Sequence, residues 1–289
     1  MRFLVSSLVL MVASVLSPGQ TTRTAPTTLT EDEIRALIRQ AAEKDIENDR
    51  RQRDYTYVER EEQHKLDGSG HTKSVESKTK EIMVLYGEPV ERLIAKDDKP
   101  LSPTDTAKED ERIQKIVDKR RDESESERGK RLAKEQKERE DDRRFVREVT
   151  DAYNFRLAGV ENLNGRAAWV IDAEPRPGFQ PHSKEAKILP KFRFRAWIDQ
   201  ADSEWVKLTA DCIDTVSIGL VLARIHKGSH IEIDQTRVNE EVWLPKHVAV
   251  KLDARLALLA NINVEEEVTY RDYKKFRADT KIVPVGEQQ

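Results

Sequence analysis

Phe192-Arg193-Phe194-Arg195-Ala196-Trp197-Ile198-Asp199, followed after a turn at Asp199 to Ser203 by Trp205-Val206-Lys207-Leu208-Thr209-Ala210-Asp211-Cys212, decides the fold. Successive side chains of a strand point to opposite faces, so Phe192, Phe194 and Ala196 lie on one side and Arg193, Arg195 and Trp197 on the other. By the same alternation Val206, Leu208, Ala210 and Cys212 share a face. The pattern repeats through Ile231 and Ile233, through Val248, Val250, Leu252 and Ala254, and through Ile262, Val264 and Val268. Antiparallel strands of this length curl as they twist, and the concave side becomes either a packed core or a ligand cavity. Pro245 is expected at the start of its strand, where a missing N–H costs least.

Working back from this series, Phe155 to Val160 and Ala167 to Ala173 form a hairpin around Asn162-Leu163-Asn164-Gly165, since Asn-Gly is a strong turn signal. The segment from Glu174 to Pro190 holds Pro175, Pro177, Pro181 and Pro190 and cannot be a central strand. Its Arg176, Phe179, His182 and Lys184 are candidates for an entrance rim, with a plain connection as the alternative. Tyr55 to Lys96 is expected to be a three-stranded meander turning at Asp67-Gly68-Ser69-Gly70 and at Gly87-Glu88-Pro89. Ahead of it, Leu29 to Asp45 is an amphipathic helix. Thr30 and Glu33 form a capping box, Leu29 and Ile34 a hydrophobic staple, and Ile34, Leu37, Ile38, Ala41 and Ile46 one apolar stripe that needs the sheet as its partner.

Residues 102–150 differ in kind. Lys, Arg, Glu and Asp dominate, and apolar residues cluster at Ile113, Ile116 and Val117 and again at Phe145, Val146 and Val149. The composition predicts a solvated helical arm docked at its two ends, broken in two near Ser124, Ser126 and Gly129. The middle offers no apolar seam for a coiled coil. The same arm is also the natural surface for a protein partner.

The first residues have the layout of a secretory signal peptide: Arg2, an apolar run from Phe3 to Leu16, and small residues up to Gly19. We expect residues 1–19 to be removed, 20–28 to be a linker, 29–283 to form a single domain with 102–150 inserted in it, and 284–289 to be a tail. No later segment approaches the ~20 apolar residues of a membrane span, so no permanent span is expected after cleavage. The net charge is -3 with 36% of residues charged. That balance argues against nucleic acid, which favours a basic excess. Cys212 is the single cysteine, so it forms no intramolecular disulfide and is expected to act as a small buried hydrophobe.

No phosphate-binding Gly-rich loop, nucleophile elbow or zinc-protease helix occurs in the sequence, and we expect no catalytic residues, metal or cofactor. His226 and His230 flank a turn at Lys227-Gly228-Ser229, which removes the helical geometry that would aim both at one metal. The candidate ligand-binding residues are the apolar concave set Phe192, Phe194, Val206, Leu208, Ile231, Ile233, Val248, Val250 and Leu252. The apolar run Val216, Ile218, Leu220, Leu222 is a candidate lid, as a short helix or bent strand plugging the open end of the sheet, or else ordinary core.

The order of capped helix, meander, helical insertion and long antiparallel set resembles the LolA-like superfamily of outer-membrane lipoprotein-sorting proteins. The resemblance rests on Asn164-Gly165-Arg166, on Arg195-Ala196-Trp197-Ile198-Asp199 with Trp205-Val206-Lys207-Leu208, on Val242-Trp243-Leu244-Pro245 and on Tyr270-Arg271-Asp272-Tyr273-Lys274-Lys275-Phe276. It implies an α+β fold: a strongly curved antiparallel sheet, a half-open β-barrel covered by an N-terminal helix, here with a long charged helical insertion. It also implies a periplasmic, non-enzymatic protein whose partners are lipid or lipoprotein acyl chains. The family's covering helices are apolar enough to line a cavity, whereas residues 102–150 are mostly charged. The alternative is therefore an envelope sensor or scaffold meeting a protein partner through that arm.

Overall fold

The computed structural model describes residues 28–218, 223–256 and 260–276. The expected signal peptide, most of the linker, the tail, and Leu220 and Leu222 of the expected lid lie outside them. Helix α1 (Glu31–Gln52) leads into β1 (Tyr55–Leu66), β2 (Thr72–Leu85), β3 (Glu88–Lys96) and the short β4 (Lys99–Pro100). Two helices follow, α2 (Pro103–Arg121) and α3 (Glu125–Ala152), then β5 (Tyr153–Leu163), β6 (Arg166–Pro175) and a 3-10 turn at Glu185–Lys191. The chain ends in β7 (Phe192–Asp199), β8 (Trp205–Cys212), β9 (Val216–Ile218), β10 (Ala223–Ile225), β11 (His230–Val238), β12 (Val242–Leu256) and β13 (Ala260–Lys275).

Among the described residues all these strands join one 13-stranded antiparallel sheet, in the order β4-β3-β2-β1-β13-β12-β11-β8-β7-β6-β5. The two ends of that order do not pair, so the curved sheet is open, with β3–β4 at one edge and β5 at the other. The β9–β10 hairpin branches from the far end of β12, where Ile225 pairs with Ala254 and Ala223 with Leu256.

Local chemistry accounts for the elements. Thr30 Oγ1 accepts the Glu33 N–H at 3.3 Å while the Glu33 carboxylate accepts the Thr30 N–H at 2.8 Å, the reciprocal cap the sequence predicts. The helix continues past the expected end at Asp45. Asp45 and Asn48 are buried against polar groups of the sheet, and Glu47 pairs with both Arg50 and Arg51, so the last turns are held by charge rather than by an apolar stripe. Asn164 and Gly165 both adopt positive φ, 52° and 86°, as a two-residue hairpin turn requires, and they join β5 to β6.

The apolar face of α1 meets the sheet in the main core, where Ile34 and Ala41 pack with Phe155, Trp169, Ile171 and Ile198. The last turns of α3 enter the same core through Phe145 and Ala152. Arg35 of α1 donates to the carbonyls of Thr150 at 2.6 Å and Tyr153 at 3.3 Å, satisfying acceptors at the end of α3.

At the opposite edge α2 shields β3. The Leu93 N–H donates to the Glu109 carboxylate at 2.8 Å, and Arg112 donates to the Glu91 carbonyl, so groups that would otherwise template another strand are occupied. Helix α3 then starts at Ser124, a capping box with Glu127, which places the predicted break there; Ser126 and Gly129 sit inside the new helix. Its 28 residues span about 42 Å, from the β2–β3 turn to β5. It therefore runs from one free edge of the sheet to the other.

Two expectations are corrected by bulges. Trp197 pairs with Lys207 but Ile198 pairs with Trp205, so Val206 is an extra residue. The displaced alternation sends Val206 into a second cluster with Ala168, Val170, Trp197 and Trp243, away from Leu208, Ala210 and Cys212. Pro245 does not begin its strand: β12 starts at Val242, and Pro245 pairs with Gln235 next to the shift that brings Asp234 opposite His247. A bulge is the other place where a missing ladder N–H is tolerated.

Candidate functional site

The register of the sheet assembles the site row by row, because paired residues of antiparallel strands project to the same face. One row runs Ala196, Leu208, Ile233, Val248, Val268, Glu61, Lys78. The next runs Phe194, Ala210, Ile231, Val250, Glu266, Gln63, Glu76. A third begins with Leu252 and Val264 and passes to Lys65 and Ser74. Each row is apolar across β7 to β12 and turns polar at β13 or β1. The face that α1 covers thus has two chemical zones meeting along a line.

In the apolar zone Phe192, Ile233 and Val248 are buried, whereas Phe194, Leu208, Ile231, Val250, Leu252 and Val268 are half-buried. Eight of the nine expected concave residues share this face by register; Val206 is the exception described above. Helix α1 covers one end of the rows, and the β9–β10 hairpin closes on another, with Val216 buried against Phe192, Ala210 and Cys212. Where it is described, the segment expected as a lid is the short strand β9, and Val216 packs into the core. What lies between the two covers is a floor of half-exposed aliphatic side chains.

In the polar zone Lys80 is buried and donates to Glu59 at 3.0 Å and Glu61 at 2.6 Å. Burial works against its charge, but those two carboxylates outweigh it and raise the ammonium pKa. Glu266 sits in register with Val250, where the apolar floor ends. Burial, and then the negative charge of Glu61, push its carboxyl pKa up, and its hydrogen bond from the Gln63 amide is long at 3.4 Å. Beside Glu59 stand Tyr57, Tyr270 and Tyr273, with ring centroids 6.1 Å apart for Tyr57 and Tyr270 and 5.0 Å for Tyr57 and Tyr273. Burial raises all three phenol pKa values, which keeps these rings neutral.

Polar contacts also fasten the second half of α1. Gln235 donates to Asp45 at 3.0 Å, Asn48 donates to Glu204 at 3.0 Å, and Lys44 donates to the Asp202 carbonyl. Glu204 is buried and its carboxyl is pushed up to about 7 by that burial, against the opposing pull of Lys44 and the Asn48 amide. Helix α1 is therefore held by apolar packing at its start and by a polar seam at its end.

Other candidates resolve into structure. Cys212 is buried, its thiol pKa raised by burial, with Sγ 3.1 Å from the Asp214 carbonyl. His226 and His230 face separate carboxylates, Asp253 at 3.5 Å and Asp211 at 2.7 Å, rather than each other's ligand position. A cleft of about 420 Å³ involves Arg193, Arg195, Asp172 and Asp211, whose charges pair among themselves. The 3-10 turn packs Ala186 and Leu189 into the main core, and the His182 N–H donates to Glu148 of α3, so this segment ties α3 down. Among the described residues no group of three or more His, Cys, Asp and Glu side chains is arranged to hold a metal ion, and no helix is long and apolar enough to cross a membrane.

The polar zone was not singled out from sequence. Its period-two signal, Tyr57, Glu59, Glu61, is present, but only the pairing of β1 with β13 shows that these residues continue the apolar rows.

The architecture defines a class: an open, strongly curved antiparallel sheet with helical covers. Solved structures similar in fold include a domain described as an outer membrane lipoprotein-sorting protein from Vibrio parahaemolyticus, at 10% identity and TM-score 0.33, covering 82% of this chain and 92% of that one. A DUF1329 family protein from Desulfovibrio piger is similar at 9% identity and TM-score 0.30, with 87% and 95% covered. A LolA superfamily protein from Nitrosomonas europaea is similar at 10% identity and TM-score 0.27, with 77% and 86% covered. At such TM-scores these likenesses decide nothing about a ligand. No family model matches the chain, and no curated protein matches it.

Proposed function

We propose that this chain is an exported, non-enzymatic binding protein of the periplasm that holds acyl chains of a lipid or lipidated protein on the concave face of its sheet, in trafficking toward the outer membrane. The observation that supports this most directly is the half-exposed aliphatic floor of Leu208, Ile231, Val250, Leu252 and Val268, left between α1 and the β9–β10 hairpin. Burying a CH2 group contributes about 0.8 kcal/mol, so one or two acyl chains on such a floor reach useful affinity without polar contacts. Organic extraction and mass spectrometry of protein purified from its own envelope tests the reading. Stoichiometric lipid is expected; protein that is lipid-free and takes up no fluorescent fatty acid overturns it.

A second reading, an envelope sensor or scaffold, is favoured by one feature. Helix α3 is anchored at both ends, yet its middle presents exposed charges and an exposed Leu132. Deleting residues 108–142 separates the two. Loss of a protein partner with lipid uptake retained supports the scaffold, and unchanged partner capture removes it.

A further inference from the structure

Helix α1 is fastened by different chemistry along its two halves. Ile34 and Ala41 of the first half are buried in the main core. The second half meets the sheet through polar contacts: Lys44 to the Asp202 carbonyl, Gln235 to Asp45 at 3.0 Å, Asn48 to Glu204 at 3.0 Å, Arg51 to the Glu241 carbonyl at 2.9 Å and Gln52 to the Tyr57 hydroxyl at 3.2 Å. Asp45, Asn48, Glu204 and Gln235 are each at most 9% exposed, so a charge placed in this seam is costly. The seam is also short of donors. Gln235 Oε1 is buried and accepts no hydrogen bond among the described residues, and Asp45 and Glu204 bring two carboxyl groups. A proton on Glu204 supplies a donor there, and its loss leaves a buried charge in its place.

The charges around Glu204 oppose one another. Lys44 and Arg51 approach from α1 and favour its ionised form, but Arg51 is shared with Glu47 and the Glu241 carbonyl. Asp202 of the same turn disfavours that form; its own carboxylate is held by Arg166 of β6 at 2.8 Å, by Arg237 of β11 at 3.5 Å and by the Trp243 indole of β12 at 3.2 Å. Asp199 is closed off by Arg166 and the turn amides.

We infer that the second half of α1 is a proton-controlled latch: with a proton on Glu204 the seam stays closed, and when that proton leaves, residues 44–52 release from the β7–β8 turn and β11 while residues 31–41 stay packed. Burial pushes the Glu204 carboxyl up to about 7 in the closed seam, whereas release returns it to water and to its ordinary value of 4.5. Opening is therefore favoured as pH rises through 7, and closure as it falls. Since α1 is one of the two covers of the aliphatic floor, the latch sets how far that floor is open on the α1 side. It stands whether or not the floor carries acyl chains.

Amide hydrogen exchange of the full chain, resolved by peptide and corrected for the intrinsic pH dependence of exchange, tests the latch between pH 5.5 and pH 8. Protection of residues 44–52 is expected to fall about tenfold over this range, and to do so with little dependence on dilute urea, as a local opening requires. Glu204→Gln keeps an acceptor for Asn48 without the titration and is expected to hold the change within about twofold. Asn48→Ala is expected to lower protection of the same residues severalfold at pH 5.5 already, with the pH step retained. An absent step in the parent, an equal step in Glu204→Gln, or unchanged protection in Asn48→Ala overturns the latch. A step that rises steeply with urea and is shared by the strands of the sheet overturns it too, since Glu204 then acts on global unfolding alone.

Discussion

Asp199 and Glu204 lie in one turn and are driven in opposite directions. Burial disfavours the charge on both, but Asp199 accepts two hydrogen bonds from Arg166, at 2.7 and 2.8 Å, and others from the Ala201 and Asp202 amides, which together hold its pKa below the usual carboxylate value. Glu204 has the Asn48 amide and the more distant charge of Lys44, and burial prevails. The folded protein therefore binds a proton at Glu204 more tightly than the unfolded chain does. Its contribution to stability is fully present below the ordinary carboxyl value of 4.5 and is lost as pH rises toward about 7. At ~1.4 kcal/mol per pKa unit the loss amounts to about 3 kcal/mol. Glu204→Gln is expected to flatten this slope, so that urea unfolding at pH 8 gives a more stable variant than the parent while at pH 5 the two differ little. Asp199→Ala is expected to cost about 3 kcal/mol near neutrality, because it leaves Arg166 with Asp202 alone and strips two turn amides of their acceptor. Neither effect is legible in sequence: Asp199 to Ser203 announces a turn, but which carboxylate meets Arg166 and which meets α1 depends on contacts distant along the chain.

At the scale of elements, periodicity carried most of the reading, and failed where a ladder slips. The alternation from Phe192 to Val268 placed Leu208, Ile231, Ile233, Val248, Val250 and Leu252 on one face because a period of two survives any twist of the strand. A single bulge reversed Val206, and nothing in Trp205-Val206-Lys207 marks it. The cap at Thr30 was equally plain, whereas the end of α1 was not, since Asn48 and Asp45 find their partners in the turn before β8 and on β11. Val206→Ala is accordingly expected to lower stability by about 1 kcal/mol through the Trp197–Trp243 cluster, with no change in amphiphile affinity. The corner between α2 and α3 makes a different prediction. Glu88 pairs with Arg120 at 2.9 Å and with Arg131, and Glu123 pairs with Arg131 at 2.8 Å, so the start of α3 is held by ions while its end is held by Phe145 and Ala152. Glu88→Ala is expected to speed tryptic cleavage near Arg121 to Arg131 severalfold, and 1 M salt to act similarly on the parent, with the thermal midpoint of the sheet shifting by only a few degrees.

For the whole molecule, the open sheet explains why an unusually charged chain still builds a large apolar surface. Charged residues make up 36% of the chain, and where the structure describes them they gather on the helices, the outer face and the polar zone, leaving the rows of β7 to β12 apolar. Leu252→Asp is expected to reduce fluorescent fatty-acid uptake more than tenfold at small cost in folding, because this side chain is half-buried and on the floor. The same charge at Ile233, which is 1% exposed, is expected to prevent folding altogether. Circular dichroism beside the uptake assay distinguishes the two.

The pairing of β1 with β13 sets the order in which this molecule comes into being. Tyr55 meets Lys275, so the strand that leaves the ribosome early waits for almost the last one. Until β13 arrives, the meander β1–β4 and the series β5–β12 are two separate sheets with unpaired edges, and loop closure over such a separation is slow. A protein stopped before Ala260 is therefore expected to emerge as two unjoined, aggregation-prone sheets rather than a smaller version of the same fold.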